Sequence, residues 1–277
     1  MVYFTKMHGI GNDYIYINAM KYHIKNKALF TKIVCDRHFG IGADGVIFIE
    51  KSDVCDLKMQ IFNPDGSEAE MCGNGIRCVG KFAYEKDLIK KDSMTVETLA
   101  GMKILKLEIK NGYVISVTVN MGKPVLDLEK IPLYSDCNPF CIDIEGHSVE
   151  LNCVSMGNPH AVVFVKNVDN LEIEKYGKRI ENDSHFPNKT NVEFVEIVDK
   201  STIKVRTYER GVGETLACGT GACASAIMAY KRNFTNSNVD VILKGGVLNI
   251  SFNVEEDNIY MTGPATSIYE GCISYKN

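Results

Sequence analysis

A chain of 277 residues with 45% hydrophobic and 24% charged content can bury one large core or two ordinary ones, and its net charge of −4 is that of a soluble globular protein. No broad basic field recommends nucleic acid or an anionic membrane as partner, and no apolar run has membrane-spanning length. The opening "MVYFTKMHGIGNDYIYIN" lacks the basic region, apolar stretch and cleavage site of a secretory signal, so a cytoplasmic protein is expected. In reducing surroundings its ten cysteines stay thiols, most of them packed as small hydrophobes.

In chain order, short β-branched and aromatic runs come first: "DYIYIN", then a charged-and-apolar stretch "KALFTKIVCDRH" that reads as a surface helix, then "GVIFIE" and "LKMQIFN". Ile76, Val79, Phe82 and Ala83 have helical spacing within residues 75–85. "SMTVETL", "MKILKLEI" and "YVISVTVNMG" follow as strands, the last two joined by Asn111-Gly112, whose tolerance of positive φ favours a tight hairpin. The texture then repeats. "VELNCVSMG" and "HAVVFV" precede a second surface helix, "NLEIEKYGKRIEN", and then "VEFVEIV" and "TIKVRTYE". Residues 218–230 are apolar nearly all round and predict a buried helix, followed by "VDVILKG" and "VLNISFN". Strands of hairpin length predict largely antiparallel sheets rather than alternating βαβ units.

The two buried-helix candidates begin alike, "MCGNGIRCVG" at 71–80 and "ACGTGACASA" at 217–226, so that Cys218 follows Cys72 by 146 residues. Glu68 and Glu214 precede the cysteines by the same interval, and Ala83-Tyr84 and Ala229-Tyr230 follow them by the same interval. This is an internal repeat, with a boundary near "VNMGKPVLD". The pattern predicts an α/β fold of the α+β type: two pseudo-symmetric domains, each a curved, mostly antiparallel sheet wrapped around a central helix. The expected limits are 1–119 plus 264–277, carrying Cys72, and 120–263, carrying Cys218.

A cysteine at a helix entrance faces outward N–H groups and the positive end of the helix dipole, which favour thiolate and can hold a carboxylate. Two such cysteines facing each other across a domain cleft would suit inversion at one carbon, a thiolate removing the α-proton of an amino acid and a thiol returning one to the other face.

At "KMHGIGNDY", "DRHFGIGADG", "FNPDGSEAEMCGNGIRC", "VSMGNPHAVV", "TNVEF", "YERGVGETLACGTGACA" and "YMTGPA" the chain resembles the diaminopimelate epimerase family, nearly end to end. The resemblance implies a cofactor-independent enzyme converting LL- to meso-diaminopimelate, a step toward lysine and peptidoglycan precursors. It implies Cys72 and Cys218 as the base and acid pair, with His160 and Glu209 beside the reacting centre. Gly73, Asn74, Gly219 and Thr220 match positions whose backbone binds the reacting carboxylate. Asn12, Asn63, Asn158, Asn191 and Arg210 match those that read the far end of the substrate, where arginine can grip a carboxylate as a fork. The implied partner is a small amino acid, with neither metal nor other cofactor; a homodimer is compatible with the family. The resemblance also implies that the C-terminal strand returns to the first domain. The chain departs at Gly45, where some members carry glutamine, and this leaves lanthionine or histidine as alternative substrates.

Other readings stand beside these. A redox pair of Cys72 and Cys218 would make a dithiol oxidoreductase, against which the lack of Cys-x-x-Cys spacing argues. A third class is a binding module that holds an amino acid without exchanging its α-hydrogen. Cys35, Cys55, Cys78, Cys153, Cys223 and Cys272 read as core filler, and Cys137-x-x-x-Cys141 lacks the second pair of a zinc site. "GIGADG" follows a helix and precedes a strand, the reverse of a dinucleotide loop, and "GTGACA" is set aside because alternating βαβ units are not expected.

Overall fold

A computed structural model describes residues 1–275. It divides into two compact units, residues 1–120 with the returning tail from Thr262, and residues 121–261. In chain order the first half holds β1 (Val2–Gly9), β2 (Asn12–Asn18), α1 (Lys27–Cys35), β3 (Gly45–Glu50), β4 (Leu57–Phe62), β5 (Glu68–Ala69), α2 (Gly73–Glu85), β6 (Ser93–Thr98), β7 (Gly101–Lys110) and β8 (Tyr113–Gly122). The second holds β9 (Phe140–Ile144), β10 (His147–Ser155), β11 (Pro159–Phe164), α3 (Ile173–Glu181), β12 (Asn191–Asp199), β13 (Thr202–Glu209), β14 (Gly213–Thr215), α4 (Gly219–Lys231), β15 (Asn238–Leu243), β16 (Gly246–Asn253) and β17 (Asn258–Gly263). The last strand, β18 (Thr266–Ile273), returns to pair antiparallel with β1, as β9 pairs antiparallel with β10. The fold is mixed α/β and strand-rich, and no helix among the described residues is long and apolar enough to cross a membrane.

Pairing is mostly antiparallel, and the Asn111-Gly112 hairpin forms as the residues predict, with φ of 53° and 83°. The expectation that βαβ units are absent is corrected. β2 pairs parallel with β3 across α1, and β4 with β6 across α2. β11 pairs parallel with β12 across α3, and β13 with β15 across α4. Parallel neighbours need a crossover, and each helix supplies one. Strand composition signals burial, not the direction of the partner.

Each sheet is covered on two faces. In unit 1, Ile15, Ile17, Val46 and Phe48 pack with Phe30 and Val34 of α1. The alternate residues point to α2, where the Tyr16 hydroxyl donates to Gly75 O at 3.0 Å. In unit 2, Ala161, Val163, Val192 and Phe194 pack with Ile173 and Ile180 of α3, and α4 is buried from Ala222 to Ala229. Cys35, Cys78, Cys153 and Cys223 are buried as core residues. Cys55 is half-buried and Cys272 exposed, contrary to expectation, because β18 turns most of its length to solvent.

Candidate active site

Cys72 and Cys218 occupy the same structural position, each the N-cap of a 13-residue helix. Both have extended backbone, and each sulfur accepts from the N–H three residues on, Gly75 or Gly221, at 3.3 Å. A cap normally supplied by Ser or Asp is here supplied by sulfur. The helices also end alike, on Lys86 and Arg232, each followed by a residue at φ 59°, Asp87 and Asn233. Gly73 with Asn74, and Gly219 with Thr220, open the two helices, where helix geometry turns backbone donors outward to an anion.

In unit 1 the Cys72 thiol donates to Asn12 Oδ1 at 3.2 Å, and Asn12 Nδ2 donates to Asp44 Oδ2 at 2.9 Å. Asn12 reaches this place from a two-residue turn with positive φ at Ile10 and Gly11, joining β1 to β2. Asp44 also accepts from Arg37 at 2.8 Å. Burial would raise the neighbouring Asp13 carboxyl, but hydrogen bonds from Arg37 and Lys6 hold it below its usual range. Tyr14, which the residue pattern treated only as strand, is buried beside the cysteine. Burial pushes its hydroxyl well above its ordinary value, and the charge and hydrogen bonding of Cys72 push it further. Gly45 lies opposite Tyr14 in the β2–β3 ladder. A Cβ there would stand 2.7 Å from the Tyr14 ring and 2.5 Å from Phe62 O. The tyrosine thus fills the space a side chain at 45 would need. Arg77, fully buried in α2, donates to Gly73 O and to Asn74 Oδ1, both at 3.1 Å, and stiffens the helix entrance. Asn63 is engaged with Ser67 in the β4–β5 turn.

In unit 2 a chain of hydrogen bonds leads to the second cysteine. His160 Nε2 lies 3.1 Å from Asn158 Oδ1. Asn158 Nδ2 donates to Thr220 Oγ1 at 3.4 Å, and that hydroxyl lies 3.4 Å from Cys218 Sγ. Cys218 is 7% exposed. Burial pushes its thiol well above the ordinary value, the Glu209 and Glu193 carboxylates add to the rise, and hydrogen bonds from Thr220 and Gly221 oppose it. Glu209 accepts from Thr215 at 2.6 Å. Asn191 braces the loops: its Nδ2 donates to Pro159 O and its Oδ1 accepts from Arg210 N, both at 3.0 Å. The Arg210 side chain is exposed and donates to Asn188 O. The structure therefore brings together Asn158, His160, Thr220 and Cys218, and separately Asn12 and Cys72, with Arg210 on the rim of its unit.

The 146-residue offset runs without a gap through both constellations: Asn12 to Asn158, Tyr14 to His160, Gly45 to Asn191, Ile47 to Glu193, Asn63 to Glu209, Cys72 to Cys218, Gly75 to Gly221. The strand registers agree, Tyr14 facing Gly45 as His160 faces Asn191. Tyr14 and Glu193 were missed because a tyrosine or glutamate within a strand carries no signal by itself. Extending the repeat back from the cysteines aligns Tyr14 with His160, whereas Glu193 aligns with Ile47 and emerges only from the β11–β12 register.

Contrary to expectation, the GTGACA stretch opens a helix inside a parallel crossover, as a dinucleotide loop would. However, a buried glutamate, Glu193, lies against Gly221 at the helix start, and its charge opposes a pyrophosphate there.

The sequence profile of the diaminopimelate epimerase family matches residues 4–126 and 152–268. A protein of Methanococcus maripaludis strain S2 named diaminopimelate epimerase is 52% identical over 271 residues, covering 97% of this chain and 98% of its own. One of the same name from Acetivibrio thermocellus is 49% identical, covering 97% of each. Among solved structures, a probable proline racemase from Agrobacterium radiobacter K84 superposes with a TM-score of 0.72 at 15% identity, covering 100% of this chain and 94% of that one. A PhzF-family phenazine biosynthesis protein of Bacillus anthracis does so at 0.71 and 17%, covering 99% of each. These two likenesses establish the shared fold alone. By profile and by identity along almost its whole length, the chain belongs to the diaminopimelate epimerase family.

Proposed function

We propose that this protein interconverts LL- and meso-diaminopimelate by two-base transfer of the α-proton, in the cytoplasm and without pyridoxal phosphate, on the route to lysine and peptidoglycan precursors. The observation that carries the reading is the doubled constellation, a cysteine capping a helix start with an asparagine bound to or linked to it, in a chain about half identical to named epimerases. One thiolate removes the α-proton from one face of the carbon, and the second thiol returns a proton to the other face. The negative charge that develops spreads into the α-carboxylate, where the outward N–H groups at Gly73-Asn74 and Gly219-Thr220 stabilise it. Burial pushes the Cys218 thiol upward, and the Glu209 and Glu193 carboxylates add to the rise, which suits it to deliver a proton. Each cysteine acts as base in one direction and as acid in the other, so reversal exchanges the roles. Glu209 suits the substrate ammonium, and Asn12, Asn63, Asn158, Asn191 and Arg210 suit the distal amino-acid head.

The test is deuterium exchange in D₂O with reduced protein and LL-diaminopimelate, with lanthionine, histidine and proline in parallel. α-Deuterium is followed by mass spectrometry and configuration by chiral chromatography. Exchange with inversion on diaminopimelate, lost in Cys72→Ala and Cys218→Ala, is the expected result. Exchange on another substrate alone would move the specificity. No exchange on any of them would overturn the reading.

A further inference from the structure

Glu193 has no place in the roles above beyond its charge. It lies on β12, 0% exposed, diagonal to His160 on the same face of the parallel β11–β12 ladder. Its Oε1 is 2.8 Å from His160 Nδ1, and its Oε2 has no hydrogen-bond partner among the described residues. A carboxylate buried this completely is costly unless a charge and a local field compensate. Both are at hand. A protonated His160 ring would be one. The other is the first turn of α4, brought so close by Gly221 that a Cβ there would stand 2.6 Å from Glu193 Oε1. In unit 1 the corresponding place is held by Ile47, whose Cδ1 would lie 2.7 Å from a Cβ on Gly75, and the corresponding ring is the neutral phenol of Tyr14. The half with an imidazole has a carboxylate behind it; the half with a phenol has a methyl group.

The geometry at the ring is directional. Asn158 Oδ1 can only accept, so His160 Nε2 donates to it. That leaves the Asn158 amide N–H₂ aimed at Thr220, beside Cys218. On the other side a carboxylate accepts at Nδ1.

We propose that Glu193 is a positioning residue of the reaction: its carboxylate holds a second proton on His160 at Nδ1, so the ring stands as a charge-compensated imidazolium with Nε2–H locked toward Asn158 and the Cys218 side. The kinetic consequence rests on the epimerase reading; the protonation of the ring does not. Tyr14 supplies Cys72 with an O–H donor that needs no compensating charge, so the two cysteines are served by different chemistry at equivalent positions.

The experiment is ¹⁵N–¹H multiple-bond correlation on full-length reduced protein labelled at histidine, with His160→Gln to assign the ring. In the unsubstituted protein both His160 nitrogens should resonate as protonated. In Glu193→Gln the Nδ1 resonance should move to the unprotonated position, while kcat for epimerisation falls about tenfold to a hundredfold and KM stays within about twofold. Glu193→Asp should keep both ring protons and recover part of kcat. An unprotonated Nδ1 in the unsubstituted protein overturns the proposal whether or not the variants fold. So does a loss of kcat in Glu193→Gln with the His160 resonances unmoved, which would leave Glu193 a merely structural role. A protein that epimerises nothing would sink the functional reading, and the ring resonances would still decide this one.

Discussion

At the residue scale, Tyr14 and His160 occupy equivalent strand positions but are linked to the cysteines differently: the Tyr14 hydroxyl bonds Cys72 itself, whereas His160 reaches Cys218 only through Asn158 and Thr220. Removing the phenol O–H in Tyr14→Phe takes a hydrogen bond from Cys72, worth roughly 1.5–3 kcal/mol when the sulfur is charged. The expected result is a kcat lowered about tenfold to a hundredfold with an unchanged fold, read by steady-state assay and circular dichroism. An unchanged kcat would remove Tyr14 from the mechanism. Gly45→Ala should act on the same ring by collision. The backbone oxygen of Phe62 cannot yield as a flexible side chain would, so a loss of about 1–3 kcal/mol is expected in urea denaturation, with activity falling alongside. Stability equal to that of the parent would show that the ring and strand relax freely. The cysteines were legible as residues because a reactive type recurs before Gly-x-Gly. Tyr14 was not, because its function comes from a neighbour 58 positions away.

At the element scale, α2 and α4 bring each cysteine's capping role and its proposed acid–base role onto one atom. Serine caps a helix at least as well as cysteine but is a far weaker acid, so substitution separates the two roles. Cys72→Ser and Cys218→Ser should keep the thermal midpoint, whereas the alanine variants lose about 0.5–2 kcal/mol, and all four should fail to invert the substrate. Calorimetry beside the exchange assay checks this; equal midpoints for serine and alanine would mean that sulfur contributes nothing as a cap. A second element-level dependence is α3 on β13. A Cβ at Gly177 would stand 2.4 Å from the Tyr208 ring, so Gly177→Ala should lift the helix off the sheet and lower the thermal midpoint by several degrees. An unaltered midpoint would argue that α3 shifts without penalty. Helix positions followed from apolar periodicity. Helix crossovers did not, because a strand's residues show that both faces are covered without showing which way its neighbour runs.

At the scale of the whole molecule, buried thiols tie stability to pH. Burial raises Cys35 and Cys153 to about 12 and Cys78 to about 11, from an ordinary value of 9.0. A folded-state value raised above the unfolded one contributes stability that is fully present below pH 9 and is lost as pH climbs toward the folded value. Urea denaturation should therefore show no loss from these groups up to about pH 9. Above it the slope should reach about 1.4 kcal/mol per pH unit for each such thiol. Cys153→Ala should flatten that slope although it lowers stability at neutral pH. An unchanged slope in the variant would show that Cys153 ionises in place without disturbing the fold.

Reading residues in order was enough for the family, the placing of two cysteines at helix starts, the repeat, the positions of four helices and the strand-rich texture, because these depend on local propensity, on periodicity and on one recurring motif. Tertiary structure alone decided the parallel pairings, the filling of the space beside Gly45 by Tyr14, the pairing of His160 with Glu193, and the exposure of Cys272. Each depends on which distant residues the ladders and helices bring within van der Waals or hydrogen-bond reach. In the one-dimensional order, His160 and Glu193 are 33 positions apart, and only the parallel register of β11 and β12 makes them neighbours.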